Sequence, residues 1–123
     1  MPTQREGWGK LQFANGDGYK GNFLGGHIHG EGEMQYSAGG KYVGLWKYGF
    51  PEGRGVRKYP DGGAYNGEWK GGLRHGEGEM IYHNGTIYRG QWSMDQVIHH
   101  LSNHHFSIPP PLPIHHLSNL PPL

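Results

Sequence analysis

Residues 65–78 read YNGEWKGGLRHGEG, and their pattern recurs along most of the chain. The tyrosine that opens it returns every 23 residues, a glycine follows each tyrosine by two positions, and a bulky aromatic residue follows by four. The repeated positions are Tyr19, Tyr42, Tyr65 and Tyr88; Gly21, Gly44, Gly67 and Gly90; Phe23, Trp46, Trp69 and Trp92. A fixed period of this length predicts stacked supersecondary units, which present a surface more often than they enclose an active site.

The repeats divide the chain into two parts. Residues 6–92 form a predicted array of a half repeat, three full repeats and a truncated fourth that matches only through Trp92. All 24 glycines lie between Gly7 and Gly90, and no lysine or arginine follows Ser93. This change in composition predicts a separate tail over residues 93–123, rich in histidine and proline.

Composition narrows the class of protein. Only 33% of residues are hydrophobic, so apolar burial has to come mostly from aromatic side chains. A net charge of +1 argues against strong attraction to nucleic acid or anionic membranes. The chain has no cysteine, no bilayer-spanning apolar stretch and no recognisable signal peptide, which predicts a cytoplasmic protein.

Each unit reads as a β-hairpin. Tyr19, Gly21 and Phe23 alternate with polar residues, as expected for a half-buried strand, and glycine is too frequent for helices. Asp-Gly at 61–62 and Asn-Gly at 84–85 predict turns between units, the latter of type I′. We expect the in-strand glycines to make room for rings lying across one face. Twelve aromatic residues share that predicted face: Phe13, Tyr19, Phe23, Tyr36, Tyr42, Trp46, Tyr59, Tyr65, Trp69, Tyr82, Tyr88 and Trp92.

Residues 65–78 resemble the MORN repeat (membrane occupation and recognition nexus), whose pattern is Y-x-G-x-W-x-x-G-x-x-H-G-x-G. The resemblance extends over about residues 6–92. The first full unit has Phe23 in place of tryptophan, and the second has Glu52 in place of histidine. The resemblance implies an all-β fold, an elongated single-layer antiparallel meander of successive hairpins. It also implies scaffold or adaptor roles in ciliary, cytoskeletal or membrane-junction settings, with lipid binding proposed for some members.

Three motifs have simpler explanations than catalysis or metal binding. Residues 16–21 satisfy G-x-G-x-x-G, but a strand follows where a dinucleotide site needs a helix. His27 and His29 lie in a predicted turn, and position 29 recurs as Glu52 and His75, which indicates a structural role. Asn84 opens a formal glycosylation motif that we interpret as a turn. We therefore predict no enzyme activity, no metal site and no cofactor.

The tail carries repeated histidine pairs and prolines. Residues 99–103 read HHLSN, and residues 115–119 repeat this string. Such low complexity predicts disorder, with adventitious metal binding as one alternative. The string PPLP at 110–113 fits either a ligand for WW-type domains or a stiff linker.

Our first functional hypothesis is a scaffold that binds a protein partner through the aromatic face or a sheet edge, because tyrosine and tryptophan are enriched at interface hot spots. The competing interpretation is that these rings only pack on one another. The residues predicted to contact the partner are Tyr42, Trp46, Tyr65, Trp69, Tyr88 and Trp92.

The second hypothesis is peripheral binding to anionic phospholipid membranes. Arg54, Arg57 and Lys58 form a basic cluster in the second unit, and Arg57 replaces the methionine of the neighbouring units. Each such residue adds only about 1 kcal/mol near an anionic surface. Membrane association is therefore the weaker of the two hypotheses.

The two ends of the array are predicted sheet edges. Residues 86–92 would form an uncapped strand, because the fourth unit lacks the glycines of a second strand and we expect the tail not to supply one. Self-association or pairing with a partner strand is predicted there.

Overall fold

A computed structural model describes residues 6–98 and 105–107, which form ten β-strands in one antiparallel sheet. Strands β1 to β8 follow one another in chain order across the sheet, β10 continues beyond β8, and β9 pairs with the other end of β8. The all-β, single-layer meander is therefore confirmed. The strands are β1 Gly7–Gln12, β2 Gly18–Leu24, β3 His27–Gln35, β4 Lys41–Lys47, β5 Phe50–Lys58, β6 Ala64–Lys70, β7 Leu73–Ile81, β8 Ile87–Ser93, β9 Gln96–Val97 and β10 His105–Ser107.

The hairpin inside each unit closes on two residues with positive φ. Gly25 and Gly26 adopt φ of 55° and 81° between β2 and β3, and Gly71 and Gly72 repeat this between β6 and β7. Two consecutive left-handed residues are the requirement of a type I′ turn, which glycine meets without steric cost. These turns lie along one long side of the sheet, which we call the turn edge.

The turns between units are of a different type. The Gly85 N–H donates to the Tyr82 carbonyl at 2.9 Å, and Gly85 alone in this turn has a positive φ, of 90°. The Asn84 side chain accepts the Thr86 N–H at 3.0 Å. The turn predicted here is present, but the predicted type I′ geometry is wrong. A type I turn followed by a left-handed glycine needs only one residue with positive φ.

A bulge interrupts every intra-unit hairpin. The register shifts between Gly21 and Phe23 in β2, and at the equivalent positions of β4 and β6. Before each bulge a glycine pairs with a glycine: Gly21 with Gly32, Gly44 with Gly55, and Gly67 with Gly78. The side-chain-free patches that result lie in the middle of the sheet.

The C-terminal edge differs from the prediction. Met94 and Asp95 adopt φ of 48° and 70°, which reproduces the intra-unit turn without glycine. Strand β9 then pairs with Trp92 and Ser93, while β10 pairs with Ile87, Tyr88 and Arg89. The expectations that β8 is uncapped and that the tail adds no strand are therefore wrong. Aspartate tolerates the left-handed conformation better than most residues, so the hairpin closes without glycine.

The sheet has one aromatic face and one mixed polar face. All twelve aromatic residues predicted to share a face belong to one cluster, with Leu11, Ile28, Met34, Met80 and Val97 among them. We call this the aromatic face. The opposite face carries cross-strand ion pairs, Lys20 with Glu33 at 3.4 Å and Arg89 with Glu79. Apart from the tyrosines and tryptophans, no residue with a polar or charged side chain is buried in the described part of the chain.

Candidate functional site

Three of the four repeated tyrosines lie across a glycine of the next strand. A Cβ atom added to Gly32, Gly55 or Gly78 would overlap the hydroxyl of Tyr19, Tyr42 or Tyr65. The hydroxyl groups donate to backbone carbonyls three residues further on, with distances of 2.8–3.0 Å. The expectation that these glycines make room for rings is confirmed, and it explains why glycine is tolerated inside a strand.

The repeated tryptophans connect neighbouring units. Each indole N–H donates to a glycine carbonyl: Trp46 to Gly32 at 3.0 Å, Trp69 to Gly55 at 3.1 Å and Trp92 to Gly78 at 3.3 Å. The Trp69 ring also meets Tyr42 and Tyr65 edge-on, with centroids 5.3 and 5.1 Å apart. Edge-to-face contacts of this kind contribute to stability beyond the burial of apolar area. The repeated tyrosines and tryptophans, which we call the aromatic ladder, therefore hold the units together.

The six residues predicted to contact a partner are buried by this ladder. Tyr42, Tyr65 and Tyr88 have no exposed surface, and the three tryptophans are 3–6% exposed. In the structure these six side chains therefore pack against one another inside the sheet. Partner contact through these six side chains stays a prediction that only binding measurements test.

Burial also changes the acid–base behaviour of the tyrosines. Loss of hydration raises the pKa of Tyr19 to about 12, although the hydroxyl is hydrogen-bonded to the Asn22 carbonyl. The pKa values of Tyr42 and Tyr65 are raised for the same first reason. Desolvation disfavours the charged phenolate, so these rings stay neutral well above physiological pH.

The accessible part of the aromatic face is a row of side chains beside the ladder. The tyrosines that close the three full units, Tyr36, Tyr59 and Tyr82, are only partly buried and pack against the core. We call this the closing-tyrosine row. Sequence reasoning placed these residues on the face but did not select them for binding, although their recurrence in phase was the available signal.

Arg57 lies within the closing-tyrosine row. It pairs with Tyr42 and Tyr65 in register, the place that Met34 and Met80 take in the neighbouring units. Its guanidinium carbon is 4.1 Å from the centroid of the Tyr36 ring and 5.2 Å from that of Tyr59. A guanidinium stacked on aromatic rings is a cation–π arrangement that keeps the planar group in one orientation.

Four consecutive segments of the chain match the family model described as MORN repeat: residues 4–18, 19–41, 42–64 and 65–87. The chain belongs to the MORN repeat family. Repeats of this family are generally scaffolds that bind proteins or membranes, and they are typically non-catalytic. A comparison with curated proteins found none that matches this chain.

The third full MORN repeat, residues 65–87, carries the other arginine of the aromatic face. Arg74 lies 4.7 Å from the Trp92 ring centroid. The Asp95 carboxylate accepts the Arg74 backbone N–H at 2.7 Å and its Nε–H at 3.1 Å. Asp95 thus balances this charge and ties the last hairpin to the third repeat.

The basic residues of the second full MORN repeat, residues 42–64, do not share one face of the sheet. Arg57 stacks on the aromatic face, whereas Arg54 pairs in register with Glu68 and lies on the opposite face with Lys58. A flat anionic surface cannot meet both faces of one sheet at once. Lipid binding through these three residues stays an untested prediction, and the geometry does not favour it.

The turn edge of the second full MORN repeat carries exposed aromatic side chains. Tyr48 and Phe50 are 54% and 58% exposed, and Tyr48 has a φ of 45° where the other repeats have Gly25 and Gly71. The Tyr48 ring lies against His27 and His29, with centroids 5.5 and 4.7 Å apart. Neither residue is among the twelve predicted to share the aromatic face, and neither belongs to the core cluster.

The recurrent histidine position has a structural role in the MORN frame. The His29 Nδ1 accepts the Tyr48 N–H at 3.2 Å, and Glu52 accepts the Gly71 N–H at 3.3 Å in the next repeat. Both side chains thus secure the turn of the following unit. Within residues 6–98, no group of three potential metal ligands is present and no helix could span a membrane. The side chains of the tail histidine pairs and the prolines at 110–113 lie outside the described residues.

Proposed function

We propose that this MORN repeat chain is a non-enzymatic scaffold module that binds a segment of a partner protein along its aromatic face. The closing-tyrosine row carries the proposal, because Tyr36, Tyr59 and Tyr82 remain accessible on a sheet that has a single layer. A sheet face usually buries its apolar side against a second layer of structure. In the described part of the chain no such layer covers this row.

The buried ladder supports binding indirectly. Trp69 and its equivalents fix the spacing of the units, so the row is presented on a rigid frame. Rigid tyrosines give large contact areas at low entropic cost, and tyrosine and arginine are common interface hot spots. In this proposal the partner therefore contacts the closing-tyrosine row, and not the six ladder residues that the sequence pattern predicts.

Affinity purification of the full chain followed by direct binding to the purified partner tests the proposal. The informative variant combines Tyr36→Ser with Tyr82→Ser, and the matched control combines Leu45→Ser with Val56→Ser on the opposite face. Circular dichroism and urea unfolding verify that both variants fold. Loss of direct binding in the row variant alone supports the proposal, whereas equal binding by both variants contradicts it.

Sedimentation with phosphatidylserine vesicles at physiological salt tests the membrane alternative. Binding that depends on Arg54 and Lys58 but not on the closing-tyrosine row would favour a membrane-binding module instead. A cytoplasmic location, in a ciliary, cytoskeletal or membrane-associated setting, stays a prediction for imaging of the tagged chain. The net charge of +1 argues against a nucleic-acid partner.

A further inference from the structure

Arg57 is a cation that the described sheet leaves without an acceptor. Its Nε is buried and has no hydrogen-bond partner, the one such side-chain atom among the described residues that are not exposed. None of the ion pairs in the described chain includes Arg57. A buried donor on a charged group is costly when it is unpaired, and nothing in the described sheet compensates that cost at Arg57.

The neighbouring charges do not supply the missing acceptor. Asp17 is close enough to interact electrostatically with Arg57, but its Oδ1 accepts the Ser37 N–H at 2.8 Å and its Oδ2 accepts the Asn15 amide at 3.2 Å. Arg74, the other arginine of the aromatic face, is already paired with Asp95. The unbalanced charge in the closing-tyrosine row is therefore positive and belongs to Arg57.

The setting of Arg57 fits a carboxylate. The guanidinium is held between the Tyr36 and Tyr59 rings, 4.1 and 5.2 Å from their centroids, and its terminal nitrogens are not among the buried unpaired atoms. A planar guanidinium fork in a fixed orientation matches the two oxygens of a carboxylate. The flanking rings offer apolar contact to the residue that carries it.

We propose that Arg57, with Tyr36 and Tyr59, forms a binding site for the carboxylate of an acidic residue or C-terminus in a partner polypeptide. This inference rests on the proposed function, since it assigns the chemistry that the partner segment presents to the closing-tyrosine row. Arg57 stands where Met34 and Met80 stand in the adjacent units, so the site distinguishes the second unit from its neighbours. Arg57 therefore sets the position of the acidic residue along the bound segment.

Selection from a random linear peptide library, with the full chain as bait, tests this inference. The variant is Arg57→Met, which installs the residue of the equivalent positions, and the matched control is Arg54→Met on the opposite face. We expect the wild-type chain and the Arg54→Met control to select peptides enriched in aspartate or glutamate. The Arg57→Met chain should bind peptides without that enrichment.

The selected peptide then serves as the probe in titrations. Replacing its acidic residue with the corresponding amide should weaken binding to wild type about tenfold or more, as expected for one partner of a close charge pair. The same change should not affect binding to Arg57→Met, and Arg57→Lys should recover only part of the difference.

Three results overturn the inference, and they separate it from the proposed function. Peptides that need Tyr36 and Tyr82 but show no acidic preference refute the carboxylate site alone. A library that yields no peptide dependent on the row refutes both. Competition by inorganic phosphate at concentrations where acetate has no effect would assign the site to a phosphate group and would also overturn the carboxylate proposal.

Discussion

The hydroxyl of Tyr42 occupies the space that a Cβ atom on Gly55 would need. The two residues lie on adjacent strands, and the same relationship joins Tyr65 to Gly78 one unit further on. The Tyr42 hydroxyl donates a hydrogen bond to the Leu45 carbonyl at 2.8 Å, and the side chain has no exposed surface. Glycine is thus required here by a neighbouring ring and not by its own backbone conformation.

The substitution Gly55→Ala should therefore destabilise the array. The added methyl group forces the Tyr42 ring off its carbonyl acceptor, and overpacking of this kind costs about 1–3 kcal/mol. Gly18→Ala is the matched control, because a Cβ at Gly18 meets nothing within 4 Å. Urea unfolding should show a lower midpoint for the first variant only, and equal midpoints would contradict the steric explanation.

Trp69 should tolerate phenylalanine but not alanine. Trp69→Ala leaves a cavity between Tyr42 and Tyr65 and should cost about 3–5 kcal/mol. Trp69→Phe loses mainly the hydrogen bond to the Gly55 carbonyl and should cost about 1 kcal/mol, since Phe23 fills the equivalent position of the first unit. The unfolding midpoints of the two variants measure the difference. Similar values for both would mean that ring packing is not what stabilises the ladder.

Stability should fall in alkaline solution. Burial raises the pKa of Tyr19 to about 12 and also raises the pKa values of Tyr42 and Tyr65. In the unfolded chain the pKa of tyrosine is about 10. Above pH 10 the unfolded chain releases these protons and the folded chain retains them, so the contribution is complete below about pH 10 and is lost as pH rises toward about 12. Urea midpoints across this range measure the loss. Tyrosinate absorbance that titrates identically in folded and unfolded chains would refute the prediction.

Asp95 should stabilise the last hairpin through Arg74. Asp95→Gly keeps the left-handed turn but removes the carboxylate, and should cost about 1 kcal/mol because the pair is partly exposed. Asp95→Ala should cost about 1 kcal/mol more, because alanine disfavours a φ of 70°. Hydrogen exchange of the Arg74 amide, which donates to Asp95, reports both effects. Unchanged exchange in the glycine variant would show that the carboxylate contributes nothing.

Strand β10 should protect the edge of the sheet. Proline at position 106 has no N–H to donate to the neighbouring strand. Phe106→Pro should therefore release β10 from Ile87, Tyr88 and Arg89. Hydrogen exchange at residues 87–89 should accelerate, and sedimentation should show self-association that rises with concentration. Ser118→Pro is the control outside the described residues. A monomeric Phe106→Pro chain with unchanged exchange would mean that β10 does not cap this edge.

The repeat frame made most of the fold predictable. Strand order, the shared aromatic face and the glycine patches follow from Tyr19, Gly21 and Phe23 and their equivalents, because alternation assigns faces and the period assigns neighbours. The fourth hairpin was missed because Met94 and Asp95 adopt a glycine-like turn without glycine. The proposed binding surface was predictable only in part, since sequence alternation shows which residues share a face but not which of them remain accessible.

Sequence alone determined that this chain is a repeat array of the MORN type, because its glycines and aromatics recur in phase and match the pattern of that family. Tertiary structure decided burial: tyrosines lie on glycines of the next strand, and tryptophans of the following unit pack edge-on against them. It also separated Arg57 from Arg54 and placed it between two tyrosine rings. Contacts between units depend on register and on the bulges, and neither can be read from one repeat in isolation.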